Sequence, residues 1–118
     1  YWSEALLSIP AAPFRPDIGE ILPITYAAPD RSETRMEIYD LQGRVVKTLT
    51  DDVYEGVSTL PEFYRDGFYE EGIRGWDGRD EYRRLVPAGT YICRLEVEDP
   101  DGNKSVAVSP AVVGIMLK

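Results

Sequence analysis

From Tyr91 to Glu98 the side chains alternate between an apolar face and a mostly charged one. Tyr91, Cys93, Leu95 and Val97 fall on one face, and Ile92, Arg94, Glu96 and Glu98 on the other. Successive Cβ atoms of a strand point to opposite sides of a sheet, so this period of two describes a strand buried on one face and solvated on the other. Pro87-Ala88-Gly89 just before it is a bend, because proline fixes φ and Gly89 permits the turn. Upstream lies an acidic, glycine-punctuated corner, Trp76-Asp77-Gly78-Arg79-Asp80.

Other stretches repeat the theme. Residues 21–27 alternate, with Leu22, Ile24 and Tyr26 on one face and Pro23 and Thr25 on the other. Pro23 cannot donate to a ladder, which argues for an edge position or the start of pairing. Pro29-Asp30-Arg31-Ser32 supplies a turn. Residues 34–40 form the next strand, with Met36 and Ile38 on its apolar side. Leu41-Gln42-Gly43 then turns the chain into a β-branched run, 44–50, that reads as its hairpin partner. Past a turn at 99–103, Val106 and Val108 share a face of another strand, and residues 111–118 read as a last apolar one. The sum is about seven strands joined by Gly/Pro turns, with no convincing helical period. That pattern points to an all-β antiparallel sandwich, in which each sheet buries one face against the other.

Composition narrows the function classes. At 118 residues the chain is one domain, and 43% hydrophobic against 29% charged reads as globular. A net charge of −8 repels phosphate backbones, which argues against nucleic-acid binding. There is no histidine, the commonest general base and transition-metal ligand. The single cysteine, Cys93, sits with the apolar set and reads as a buried small hydrophobe rather than a nucleophile. No stretch reaches the ~20 apolar residues of a membrane helix. Asp99-Pro100-Asp101-Gly102-Asn103 has the opening spacing of a calcium loop, but its glycine falls two positions early and the closing glutamate is missing, so the hairpin-turn reading is preferred. No metal site, cofactor or catalytic residue is assigned.

Two segments stand apart. Residues 1–16 read as an extended, Pro-rich leader into a domain spanning 17–118, and a start at Tyr1 rather than Met suggests a piece of something longer. Residues 51–75 form a long insertion with no clean period. It holds Tyr54, Phe63, Tyr64, Phe68 and Tyr69, and seven acids against two arginines. A connection this long in a small domain is often functional. Trp2 and Leu6 of the leader, with Tyr54, Phe63, Tyr64, Phe68 and Tyr69, are therefore the candidate partner contacts, since aromatics bury large area at low entropy cost. The alternative is that these side chains pack on the domain itself.

Several motifs in order resemble one known family. They are Pro13-Phe14-Arg15-Pro16, the run IYDLQGRVV at 38–46, Thr48-Leu49, Trp76-Asp77-Gly78-Arg79-Asp80 and Val86-Pro87-Ala88-Gly89-Thr90-Tyr91. Together they resemble the FlgD Ig-like (hook-capping C-terminal) domain family, and are similar to the related type IX secretion sorting domains. The resemblance covers residues 13–118 and implies an immunoglobulin/fibronectin-III-like sandwich without an active site, serving as a spacer, docking or sorting module. It implies structural roles for Tyr39, Asp40, Gly43, Trp76, Asp77, Gly78, Asp80, Pro87, Gly89 and Tyr91. Tyr39 and Trp76 are expected as anchors at sheet edges, Asp40 with Gly43 as the hairpin turn, and Asp77 with Asp80 as acceptors for loop amides around Gly78. Two departures matter: Tyr82-Arg83 stands where the family usually has an Asn-Gly-like turn, and the segment between Leu49 and Trp76 is longer than usual.

The resulting expectation is a non-catalytic interaction module of a bacterial cell-envelope or secreted assembly, with other protein subunits or domains as partners. A sorting signal ending in Val113-Gly114-Ile115-Met116-Leu117-Lys118 is one alternative. A carbohydrate-binding module stacking sugars on Tyr64, Tyr69 and Trp76 is another.

Overall fold

A computed structural model of the chain describes residues 6–29, 31–53, 62–63 and 75–114, with backbone only at 6, 27, 50–53 and 62–63. The described residues are mostly β, and every pairing between strands is antiparallel. In chain order the strands are β1 (Leu6–Ser8), β2 (Leu22–Pro23), β3 (Thr25–Ala27), β4 (Glu33–Tyr39), β5 (Val45–Val53), β6 (Glu62–Phe63), β7 (Gly75–Trp76), β8 (Gly89–Glu98) and β9 (Lys104–Val113). A short 3-10 turn, Pro16–Ile18, precedes β2.

The largest sheet runs β5-β4-β8-β9, beside a three-stranded sheet β1-β3-β6 and a two-stranded ribbon β2-β7. Strand β8 delivers what its alternation demands: Tyr91, Cys93, Leu95 and Val97 are buried and the residues between them are half-exposed. Met36 and Ile38 of β4 and Ala111 and Val113 of β9 extend that face. Leu22, Ile24 and Tyr26 bury on the same cluster, so side chains from all three sheets share one core. At ~25 cal/mol per Å² of apolar area, this common burial is the dominant favourable term in folding. The 21–27 alternation is real, yet the strand divides at Ile24: Leu22 and Pro23 pair with β7, whereas Thr25–Ala27 pairs with β1 and β6.

Three features differ from the sequence expectation. The stretch read as a leader supplies strand β1 and a core ring, since Phe14 is buried and its N–H donates to the Val112 carbonyl at 3.0 Å. Short pairings of this kind have no period of their own to read. Next, residues 104–113 form one strand rather than two. The Val112 carbonyl faces away from β8 toward Phe14, and so by the alternation of a strand does the Pro110 position. Its missing N–H therefore takes no bond from the β8 ladder, and the strand runs on through the proline at the sheet edge. The face shared by Val106 and Val108 is the exposed one. Last, Trp76 is no edge anchor. It lies at the centre of the core with no exposed surface, 5.7 Å from the Phe14 ring and 5.6 Å, edge-on, from the Tyr91 ring. Its indole N–H donates to the Arg79 carbonyl at 3.0 Å, which satisfies the one polar atom it carries into the interior.

A candidate docking groove between two aspartate turns

The same five-residue turn occurs three times. In the first, Asp40 N–H donates to the Arg44 carbonyl and Gly43 N–H to the Asp40 carbonyl, both at 3.0 Å. The Asp40 carboxylate accepts from Gln42 N at 2.9 Å and Arg44 N at 3.0 Å through Oδ1, and from Arg44 Nε at 2.9 Å through Oδ2. Asp80 repeats the pattern with Tyr82 N at 2.9 Å, Arg84 N at 3.0 Å and Arg84 Nε at 3.3 Å. Asp99 repeats it again with Asp101 N, Asn103 N and Asn103 Nδ2 at 2.9, 2.8 and 3.1 Å. In each, the aspartate substitutes for turn carbonyls that cannot reach those amides. The bonds act on the charged form, so all three carboxyls are held below their ordinary value, led by the backbone N–H of Arg44, Arg84 and Asn103 respectively. The Asp99 carboxylate is thus engaged in its own turn. Among the described residues no group of His, Cys, Asp or Glu is arranged to hold a metal ion.

The fourth position of the turn needs a positive φ. Gly43 and Gly102 supply +86° and +87° at no steric cost, but the middle turn uses Arg83 at +66°. This is how the departure at Tyr82-Arg83 is accommodated. The Arg83 guanidinium bonds the Asp77 carboxylate at 2.8 Å, and its carbonyl accepts from Arg79 Nη1 at 2.9 Å. These contacts offset the ~1 kcal/mol or more that a non-glycine residue loses there. Asp77 also accepts from Arg79 N at 3.1 Å, and Asp80 serves the turn that follows rather than Gly78. Gly78 itself is required for space: a Cβ there would sit 2.4 Å from that of Pro16.

The middle turn is docked on the first hairpin by one residue. Glu81 N–H donates to the Val46 carbonyl at 3.2 Å, and its Oε1 accepts from Thr48 N at 2.8 Å. Strand β5 is the outer strand of its sheet, so Glu81 acts there as a one-residue strand partner. Two register shifts in the β4–β5 pairing, at Leu49 and Val46, bend the edge that receives it.

Between the two docked turns lies an open groove of about 910 Å³. Leu41 and Val45 wall it on the side of the first turn and Tyr82 and Leu85 on that of the second, and Val86, Pro87, Ala88 and Tyr91 also line it. The wall residues are exposed, Tyr82 to 78% and Leu41 to 69%, which is unusual for side chains of this size grouped together. Arg44 and Arg84 line the same groove, with side chains 74% and 72% exposed against 21% and 22% for the aspartates they bond. Anionic ends are turned inward and cationic tips outward. The Arg84 guanidinium lies 5.1 Å from the Tyr82 ring centroid.

Of the partner contacts expected from sequence, Trp2, Tyr54, Tyr64, Phe68 and Tyr69 lie outside the described residues. Leu6 and Phe63 lie in β1 and β6, where Leu6 pairs with Ala27 and Phe63 with Thr25. Residues 115–118 of the suggested sorting signal are also outside. Trp76, expected to stack a sugar, is buried and presents no face to one. Tyr91 donates its hydroxyl to the Pro87 carbonyl at 2.7 Å, and Gly89 opens β8. Tyr39, half-buried, donates to Glu37 Oε1 at 2.6 Å. Cys93 is buried with the apolar set, as expected, and that burial pushes its thiol up to about 12. The groove residues Leu41, Tyr82 and Leu85 were not expected. The readable signal for them was the repeated Asp-x-x-x-Arg spacing at 40–44 and 80–84 with an apolar residue inside each turn.

No family model, curated protein or solved structure matches the chain.

Proposed function

We propose that this chain is a non-catalytic immunoglobulin-like β-sandwich module, related to the FlgD Ig-like domains, which acts by holding a partner protein within a bacterial cell-envelope or extracellular assembly. The observation that carries the reading is the groove. Four exposed apolar side chains line a concavity whose shape is fixed by two hydrogen-bonded turns, as a binding surface requires.

Two further features support it. Two of the three acids lining this concavity, Asp40 and Asp80, accept from turn amides that hold them ionised, the opposite of what a general acid needs. The Tyr91 hydroxyl bonded back to Pro87, two residues before Cys93 and with its ring against Trp76, is similar to the tyrosine corner of immunoglobulin-like sandwiches.

The test is a pair of surface substitutions, Leu41→Ser with Tyr82→Ser, in the protein that bears this chain. Both side chains are exposed, so the unfolding temperature should stay within about 2 °C of wild type while incorporation into the native assembly is lost. Full incorporation of the folded variant would overturn the proposal.

A further inference from the structure

We infer that Asn103 accepts an N-linked glycan, delivered outside the cytoplasm from an oligosaccharide carried on a polyprenyl diphosphate; this rests on the reading of the chain as an envelope or extracellular module. Asn103 is the one asparagine in the sequence, and Asn103-Lys104-Ser105 has the spacing of an acceptor, with a residue other than proline in the middle. A folded domain can carry a glycan only at its surface. Asn103 meets that condition: it ends the turn between β8 and β9, and Asp101, Gly102, Asn103 and Lys104 are all exposed.

Nothing in the turn calls for asparagine at this position, since Arg44 and Arg84 make the equivalent side-chain bonds in the other two turns. The turn is framed instead by main-chain groups and the Asp99 carboxylate. Asp99 N–H donates to the Asn103 carbonyl at 2.9 Å and Gly102 N–H to the Asp99 carbonyl at 3.0 Å. Asp99 Oδ1 accepts from Asp101 N at 2.9 Å and Asn103 N at 2.8 Å. The Asn103 side chain adds only an exposed bond, from Nδ2 to Asp99 Oδ2 at 3.1 Å. In the transfer the bond from Nδ2 to the anomeric carbon forms and that carbon's bond to the diphosphate oxygen breaks. Polyprenyl diphosphate leaves, and one amide proton passes to a base of the transferase. One N–H stays on Nδ2, and the main-chain frame of the turn is untouched.

The position also agrees with docking through the groove. Residues at the start of β8, Gly89 to Tyr91, line the groove, whereas the turn follows the other end of that strand. The 10 residues of β8, at about 3.3 Å each, put roughly 30 Å between the two. A glycan on Asn103 covers the tip of the β8–β9 hairpin and leaves the groove open.

The test takes the protein from its producing cell, digests it with trypsin and reads the peptide that starts at Leu95 by tandem mass spectrometry. In the wild type this peptide should carry the added mass of a glycan on Asn103. Ser105→Thr should keep that mass, whereas Ser105→Ala and Asn103→Arg should lose it. Asn103→Arg installs the residue of the other two turns, so the variant should fold like the wild type. An unmodified peptide in protein recovered from the envelope or the medium, or a glycan that survives Ser105→Ala, would overturn the inference. If Leu41→Ser with Tyr82→Ser still blocks assembly in that case, the proposed function stands without it. A modified Asn103 alongside an assembly indifferent to the groove pair would uphold the inference and sink the docking reading. Protein confined to the cytoplasm and unmodified would sink both.

Discussion

The backbone N–H of Thr48 donates to Oε1 of Glu81 at 2.8 Å, across 33 residues of chain. That bond, with Glu81 N–H on the Val46 carbonyl, is what sets the two turns side by side and so makes a groove of two separate loops. Glu81→Ala should cost only about 1 kcal/mol by chemical denaturation, since the side chain is half exposed and screened. It should also accelerate hydrogen exchange at Thr48. Glu81→Gln keeps an acceptor oxygen and should lose less than half as much. Equal losses for both would show that charge, not the strand-like bond, docks the turn.

Arg83 is the strained residue of the middle turn, and Asp77 is its compensation. Arg83→Gly relieves the positive φ and gives up the ion pair, so its stability should fall within about 1 kcal/mol of wild type. Arg83→Val, β-branched at the same φ, should lose about 2 kcal/mol. A double-mutant cycle makes this specific: Asp77→Ala should destabilise the wild type more than it destabilises the Arg83→Gly variant. Additive losses would mean that Asp77 does not act through Arg83.

Glycines at two sites should respond very differently to alanine. At Gly43 an added Cβ meets nothing within 4 Å, so only the positive φ is at stake and the loss should be about 1 kcal/mol. At Gly75 it would fall 1.9 Å from the Leu22 carbonyl oxygen, on the backbone that pairs with β7. Gly75→Ala must separate β2 from β7 and shift Trp76, so a loss above about 3 kcal/mol, or failure to fold, is expected. Comparable midpoints for the two variants in urea would contradict this packing.

Stability should decline at both ends of the pH scale, for different groups. Asp40, Asp80 and Asp99 have folded pKa values below the ordinary 3.8, so their contribution is complete above that value and is lost as pH falls through the folded ones. Asp99→Asn should make the acid limb shallower. Cys93 is shifted the other way, from 9.0 to about 12 by burial, and Tyr39 and Tyr91 are raised above 10.0. A raised value contributes stability below the unfolded pKa that is lost as pH rises toward the folded one. The alkaline limb should start near pH 9, where Cys93 removes about 1.4 kcal/mol per pH unit, and steepen above pH 10 as Tyr39 and Tyr91 add to it. Cys93→Ala should flatten its first part, whatever that substitution costs at neutral pH. An unchanged slope would mean the thiol ionises freely in the folded chain.

What could be read from sequence follows from how local each cause is. Strand β8 was legible because its partner faces impose alternation on every residue from Tyr91 to Glu98. The turn at Asp40–Gly43 was legible because its chemistry lies within five residues. Phe14 and Trp76 were not. Phe14 owes its burial to β9, nearly a hundred residues on, and Trp76 to rings at 14 and 91, so neither carries a local mark of the core. The groove was hidden for the same reason: its two turns are each readable, but their meeting depends on Glu81 reaching Thr48. The departure at Tyr82-Arg83 says only that this turn is built differently; how it is built depends on Asp77, six residues back, holding Arg83.

The groove as the partner-facing surface is tested most directly by photocrosslinking in the producing cell. A benzophenone amino acid would replace Tyr82 or Leu41 on the groove, or Val108 on the outer face of β9, all three being exposed positions. One discrete adduct, common to the Tyr82 and Leu41 positions and absent from Val108, is expected. Adducts from Val108 alone, or none from either groove position in a folded and correctly expressed protein, would contradict it.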